Sequence, residues 1–503
     1  MYLLGYDIGS SSVKATLVDA STGQALASAF APGNEMGMLV KQEGWAEQDP
    51  KLWWQYVTET TRQVLAKSQV AANQIKAIGI AYQMHGLVVV DKNQQVLRPS
   101  IIWCDSRAVE IGNQAFKGIG EENCLANFLN SPANFTASKL KWVKENEPEI
   151  FSRIHKFMLP GDFIAMKLSG KIQTTASGLS EGILWNFKES RPAYELLDYY
   201  GISADLIPEI VPTFGLQAEV SAEAAAHLGL APGTVIGYRA GDQPNNAYSL
   251  NVLKPGEIAA TAGTSGVIYG INNTITYDPQ SRVNSFLHVN STPEKPVTGT
   301  LMIVNGTGIL NSWVRKNLFS SEKFNYQYSY PEINEIATQV PAGADGLLIL
   351  PFGNGAERIL QNRQIGAVIN GLSLTTHNKG HVARAAQEGI IFALRYGFEI
   401  MNGMGIQAKT VKAGDANMFL SPLFAQTFAT VTNTTVELYN TDGSQGAARG
   451  AGVGAGIYPD YESSFIGLTC TRTIQPEKDQ QDFYEEVYRK WCALLENQLR
   501  LAK

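Results

Sequence analysis

Three short stretches set an acid or a hydroxyl pair beside glycine, the combination that phosphate-handling sites use. In YDIGSSSVK, Asp7 precedes Gly9, Ser10, Ser11 and Ser12, and Lys14 follows. Glycine leaves backbone N–H groups open to a closely approaching anion, and the hydroxyls add further donors. AGDQPNNA carries Asp242, and TAGTSGVIYG carries Gly263, Thr264 and Ser265. Phosphoryl transfer from ATP needs groups that cradle phosphates, carboxylates that hold hydrated magnesium, and a base beside the acceptor hydroxyl. The three stretches offer all of these. Gly, Ser and Asp are also ordinary turn formers, so a plain solvated turn is the alternative at each place.

Other chemistries find less support. The chain has no Gly-x-x-x-x-Gly-Lys-Ser/Thr, which disfavours a P-loop enzyme, and no Gly-x-Gly-x-x-Gly follows the first strand. His377 and His381 stand four apart in THNKGHVAR but lack the glutamate of a HExxH zinc helix. No Gly-x-Ser-x-Gly elbow stands with a matching Asp and His, so a hydrolase triad is not expected.

The elements that must carry these residues read as α/β. Tyr2 to Leu4 and Val13 to Val18 flank the first turn as half-buried strands, so the opening is a hairpin with Asp7 and the serines at its tip. IKAIGIAYQM and LVVVDKNQQVL read as strands, and Leu52 to Ser68 and Lys139 to Asn146 as helices. GEIAATAGTSGVIYGINNTI repeats the pattern of strand, glycine-hydroxyl turn and strand, and pairs Gly9–Val13 with Gly263–Val267 as a faint internal repeat. Two similar domains are expected, 1–248 and 249–503. From Lys478 onward, Phe483, Val487, Trp491, Leu494 and Leu495 share one helical face, a packing helix. The run GSQGAARGAGVGAG would let a helix approach a neighbour closely, with packing as the default reading.

A chain of 503 residues is too long for one core. Its net charge of −6, with acids and bases interspersed, argues against a nucleic-acid face and against a polybasic membrane patch. Cys104, Cys124, Cys470 and Cys492 form no close pair, which fits a reducing cytoplasm. Met1 leads straight into a strand, and no apolar run reaches the roughly 18 residues of a membrane span, so a soluble, unexported protein is expected.

At this point the residues resemble the FGGY carbohydrate kinases, most closely their xylulokinase branch. The resemblance covers nearly the whole chain in nine separated segments that follow the family's order. The first four are YDIGSSSVKATLVD, QEGWAEQDPKLWW, AYQMHGLVVVD and RPSIIWCDSRA. FTASKLKWVKEN, GDQPNNA and TAGTSGVIYG follow, then GADGLLILPFGNGAER and INGLSLTTHNKGHVARAAQEG. It implies two actin/hexokinase-like (ribonuclease H-like) domains with an interdomain cleft that takes ATP and Mg2+. Asp7 would orient the metal and the phosphates, and Asp242 would be the base, the two being the metal candidates. Gly9 to Ser12 and Lys14 would lie by the terminal phosphate, Gly263, Thr264 and Ser265 in the second phosphate turn, and Gly414 and Asn417 by the adenosine. Met84, His85, Trp103, Asp105, Arg107 and Gln243 would surround the sugar.

The implied activity is phosphorylation of D-xylulose to D-xylulose 5-phosphate. The rivals are another FGGY substrate (ribulose, gluconate, glycerol or a tetritol), a non-catalytic sugar sensor, and an actin-like ATPase. A homodimer is compatible with the family. The chain departs from the pattern at Asn134, at Gln243-Pro244, where xylulokinases more often have Asn-Ala, and in AGDANMFLSP, where the family has a glycine run.

Overall fold

The computed structural model describes residues 1–321 and 326–502. Two mixed sheets organise it. The first contains β1 (Tyr2–Ile8), β2 (Val13–Asp19), β3 (Ala25–Ala31), β4 (Ile75–Tyr82), β5 (Phe214–Glu219) and β6 (Val235–Gly241), in the order β5-β6-β4-β1-β2-β3. The second contains β7 (Ile258–Ala262), β8 (Gly266–Asn272), β9 (Asn284–Leu287), β10 (Thr298–Val304), β11 (Thr410–Gly414), β12 (Thr435–Tyr439) and β13 (Cys470–Ile474). Its order is β9-β10-β8-β7-β11-β12-β13.

The two sheets share a plan. In each, a hairpin (β1-β2 or β7-β8) is antiparallel, and its first strand pairs in parallel with a later strand (β4 or β11). The two glycine-hydroxyl turns therefore occupy corresponding hairpin tips. β1 is apolar on both faces, as a central strand covered on both sides must be.

Helix α1 (Pro50–Ser68) begins ahead of the expected Leu52, with Asp49 accepting from the Lys51 N–H at 3.0 Å and Pro50 in the first turn. LVVVDKNQQVL is not one strand. Val88–Val90 is extended, then the Asp91 carboxylate takes the N–H groups of Asn93 and Gln95, and the chain turns back so that Val96 bridges to Val90. Local side-chain hydrogen bonding outcompetes strand extension there.

The glycine-alanine run forms α2 (Gly443–Gly454), and its neighbour is a sheet. A Cβ on Gly5 of β1 would lie 1.9 Å from the Ser444 carbonyl, and one on Gly79 of β4 would lie 1.9 Å from the Ala447 carbonyl. Only glycine on the strands and small residues on the helix permit that approach. The terminal helix, α3 (Lys478–Leu501), buries Val487, Trp491 and Leu495 as expected, but Tyr484 and Tyr488 take the remaining inward places and Phe483 is 42% exposed. The tyrosine hydroxyls decide the rotation, because they bond to the Glu388 and Glu399 carboxylates of the long helix α4 (Lys379–Gly403). Among the described residues, no helix is long and apolar enough to cross a membrane.

Strand β9 ties the second sheet to the first half of the chain. Asn130 donates to the Ser285 carbonyl at 2.8 Å and accepts the Ser285 N–H at 2.9 Å, and the Leu287 N–H reaches the Ser180 hydroxyl at 3.0 Å.

Candidate active site

Asp7 lies at the end of β1, paired in register with Lys14 on β2. The turn between them closes with the Gly9 N–H on the Ser12 carbonyl at 3.0 Å. Its outer edge is held by Gln48, which donates to the Ser10 carbonyl at 2.7 Å and is itself fixed by Trp53 and Gln83. Burial and the Asp442 carboxylate push Asp7 up to about 6, with Lys14 pulling the other way.

Asp242 is the first residue of α5 (Asp242–Ser249), directly after β6. Its helix is anchored on two sides: Asn245 donates to the Gly443 carbonyl at 2.8 Å, and Asn246 donates to the Thr261 hydroxyl at 3.0 Å. Burial and the negative charge of Asp7 push Asp242 up to about 7, while hydrogen bonds from the Gln243 N–H and side chain work against them. The Asp7 charge makes Asp242 harder to ionise, as expected for an acid that shares a buried site with another.

The expected sugar residues separate into two groups. Met84 is buried against Gly241, the residue before Asp242, and a Cβ on that glycine would lie 2.7 Å from the methionine Cγ. His85 has a left-handed φ of +61°, a strained conformation that two contacts enforce. Its Nδ1 bonds the Glu181 carbonyl at 2.8 Å, and its own carbonyl accepts from Lys139 at 2.9 Å. Burial, with Lys139 adding to it, pushes the His85 ring down to about 3, so the imidazole is neutral. Trp103 is 42% exposed and its indole N–H reaches the Ser10 hydroxyl at 3.3 Å, bridging this region to the Gly9–Ser12 turn.

Asp105 and Arg107 form the second group. Asp105 is fully buried, and its oxygens accept from the Ala46 N–H at 2.6 Å and from the Arg107 guanidinium at 2.7 Å. Arg107 also pairs with Glu47 at 2.7 Å, and its guanidinium lies 3.9 Å from the Trp45 ring centroid. Both are expected beside the sugar, and in the structure their charges pair with each other and with Glu47.

Two buried residues escaped sequence reasoning. Lys139 was visible only as part of FTASKLKWVKEN, with nothing to give it a role. Its ammonium is fully buried and joins the His85 carbonyl to the Ile102 carbonyl, at 2.9 and 3.0 Å. Glu181, also buried, lies behind Gly241, and burial together with the Asp242 charge pushes its carboxyl well above the ordinary range. No sequence signal marked it, because its environment is assembled from distant strands.

Gly263 and Thr264 sit on the wall of a cavity of about 940 Å3 that also takes in Gly308, Asn311, Asn334, Gln387, Asn417 and Ser421. The expected adenosine residue Asn417 is on this wall, while Gly414, at the end of β11, does not line it. Ser265 follows Thr264 at the hairpin tip, before β8 begins. Glu35, from the first half of the chain, faces the same cavity.

Comparison with known proteins accords with this geometry. Residues 2–247 match the N-terminal domain, and residues 258–457 the C-terminal domain, of the FGGY family of carbohydrate kinases. The chain therefore belongs to that family of sugar kinases, whose phosphate donor is ATP. It is 28% identical over 499 residues to the xylulose kinase of Bacillus subtilis, covering 97% of this chain and 96% of that one. The xyloylose kinase from Brucella ovis superposes with a TM-score of 0.88 at 26% identity, covering 100% of both chains. A gluconate kinase from Lactobacillus acidophilus superposes at 0.89 and 24% identity, over 99% and 98% of the two chains, which shows the shared fold. The architecture is the actin/hexokinase-like one of these kinases.

Proposed function

We propose that this kinase transfers the terminal phosphoryl group of ATP to a terminal hydroxyl of an uncharged ketopentose, D-xylulose before others, giving D-xylulose 5-phosphate. The observation that carries the reading is the commitment of Arg107 to Asp105 and Glu47 beside a neutral His85. A carboxylated sugar would call for a free cation, whereas a neutral imidazole and an amide hydrogen-bond hydroxyls, and Met84 and Trp103 offer apolar faces to a carbon chain. The name of the Bacillus subtilis relative supports the same choice.

Asp242 is the base in this reading. A carboxylate raised to about 7 takes a hydroxyl proton more readily than an ordinary one, and it is needed only as the acceptor oxygen bonds to phosphorus. Asp7 and Asp242 are the residues that would hold magnesium. They suit it, since Mg2+ commonly takes one or two carboxylates with waters and substrate phosphates, and two buried acids held above their ordinary pKa gain from a cation. When bound, the ion neutralises phosphate charge. The first turn, with Gly9, Ser10, Ser11, Ser12 and Lys14, receives the terminal phosphate, and Gly263 to Ser265 receive the phosphates nearer the nucleoside.

The test is a phosphorylation screen of the purified protein over D-xylulose, D-ribulose, gluconate, glycerol and a tetritol. The highest kcat/KM is expected for D-xylulose. A maximum at gluconate or glycerol would overturn the substrate, and absence of sugar-stimulated ATP turnover with any acceptor would overturn the kinase mechanism.

A further inference from the structure

The segment GADGLLILPFGNGAER carries, one residue from its end, an acid that the transfer chemistry does not use. Glu357 has no exposed surface, and among the described residues it has no salt-bridge partner: its carboxylate accepts the Asn305 N–H with both oxygens, at 3.1 Å each. The Asn305 side chain returns the contact, donating to the Ala356 carbonyl at 2.9 Å. Burial pushes the Glu357 carboxyl up to about 7, against the pull of the Asn305 and Gly306 N–H groups. Burying a carboxyl this deeply costs stability, so the loop it grips is the place to look for its use.

That loop, residues 305–308, joins β10 to α6 (Gly308–Leu318) and runs directly behind the second phosphate turn. The Gly308 N–H donates to the Gly263 carbonyl at 3.1 Å and the Ile309 N–H to the Thr264 carbonyl at 3.2 Å. Packing leaves the loop no slack. A Cβ on Gly306 would lie 1.5 Å from the Pro351 carbonyl, and one on Gly308 would lie 2.2 Å from the Gly263 carbonyl. A chain of contacts thus runs from Glu357 through Asn305 and Gly308 to Gly263 and Thr264, which face the large cavity.

We propose that Glu357 is a positioning residue for the nucleotide: it sets loop 305–308, and through that loop holds the Gly263–Thr264 turn in the shape that receives phosphate. The inference rests on the reading of Gly263–Ser265 as a phosphate turn. Glu357→Gln keeps size and one acceptor oxygen but turns an N–H donor toward the Asn305 N–H. The turn then loosens while the sugar site, built on β4, β6 and the loops around His85 and Trp103, is left alone.

The experiment is steady-state kinetics on the full-length protein with saturating magnesium and its best acceptor sugar, paired with thermal shift by ADP. For Glu357→Gln, KM for ATP is expected to rise about tenfold with KM for sugar within about twofold, and stabilisation by ADP to shrink. Unchanged KM for ATP overturns the proposal, whatever happens to the melting temperature. Should Glu357→Gln fail to fold, Glu357→Asp, which keeps the charge but withdraws it by one methylene, is judged by the same split. Gly263→Ala separates the two readings, since its methyl meets nothing closer than 3.7 Å in the protein and intrudes only on a ligand. If Gly263→Ala weakens ATP and Glu357→Gln does not, the positioning role alone falls. If Gly263→Ala leaves ATP binding intact, the phosphate turn falls and the proposal with it.

Discussion

Lys139 and His85 meet through the backbone: the buried ammonium donates at 2.9 Å to the carbonyl of a histidine held at a left-handed φ, and at 3.0 Å to the carbonyl of Ile102. Burial pushes the ammonium down to about 8, with Arg107 adding to it and Asp105 and Cys104 opposing. Replacing Lys139 by Met would keep the volume and strand both carbonyls, each worth about 1–3 kcal/mol when left unpaired. KM for the sugar is expected to rise about tenfold or more with KM for ATP little changed. Equal sugar KM values for the two proteins would remove Lys139 from the site.

Asp242→Asn retains size and most hydrogen bonding while removing proton affinity. Its kcat is expected to fall by roughly 10²-fold or more, with a small effect on sugar binding. In the unaltered enzyme kcat/KM should fall as pH drops through the Asp242 pKa, because the base must be ionised. The Asp242 pKa is raised to about 7 in the metal-free protein, and a nearby cation favours ionisation, so added magnesium should move this acid limb to lower pH. A limb that ignores magnesium would separate Asp242 from the metal.

Asp7→Asn tests the metal from the other side. The magnesium concentration for half-maximal rate is expected to rise several-fold, since one of two carboxylates is gone. Overlapping magnesium titrations of the two proteins would show that Asp7 acts without the ion.

His85→Ala would leave sugar hydroxyls unpaired in a closed site. The expected loss in kcat/KM for D-xylulose corresponds to about 1–3 kcal/mol of transition-state binding. Unaltered turnover of D-xylulose would leave the kinase standing without its proposed sugar contact.

Burial holds His288 in its neutral form, its pKa pushed down to about 3 against a slight opposing pull from the Val252 backbone. An unfolded histidine takes up its proton near pH 6.5, so between there and pH 3 the unfolded chain binds one more proton than the fold at this position. Stability should fall with pH across that window, by about 1.4 kcal/mol per unit from this residue. His85, pushed down to about 3, adds to the same slope. Urea titrations from pH 6 to 4 should show a shallower decline for His288→Gln than for the unaltered protein. Parallel declines would mean that the ring is protonated in the fold.

What could be read in the sequence was whatever local chemistry dictates. The two hairpins with their glycine-hydroxyl tips follow from alternating apolar residues around turn formers, and the body of α1 follows from the helical pattern of Leu52 to Ser68. Asp7 and Asp242 stood out because acids beside glycine are a local pattern. The tertiary structure decided which charges remain available. Asp105 and Arg107 are marked in the sequence only by the family resemblance, and their pairing with Glu47 and Ala46, brought in from another segment, is visible only in the fold. It also decided where α2 lies: a helix more than 400 residues from β1 packs on it so closely that a Cβ on Gly443 would lie 2.4 Å from the Asp7 carboxylate. The pKa values of Asp7 and Asp242, the neutrality of His85 and the grips of Lys139 and Glu357 have the same origin. Burial and charge proximity are sums over residues remote in sequence, and such sums exist only once the chain has folded.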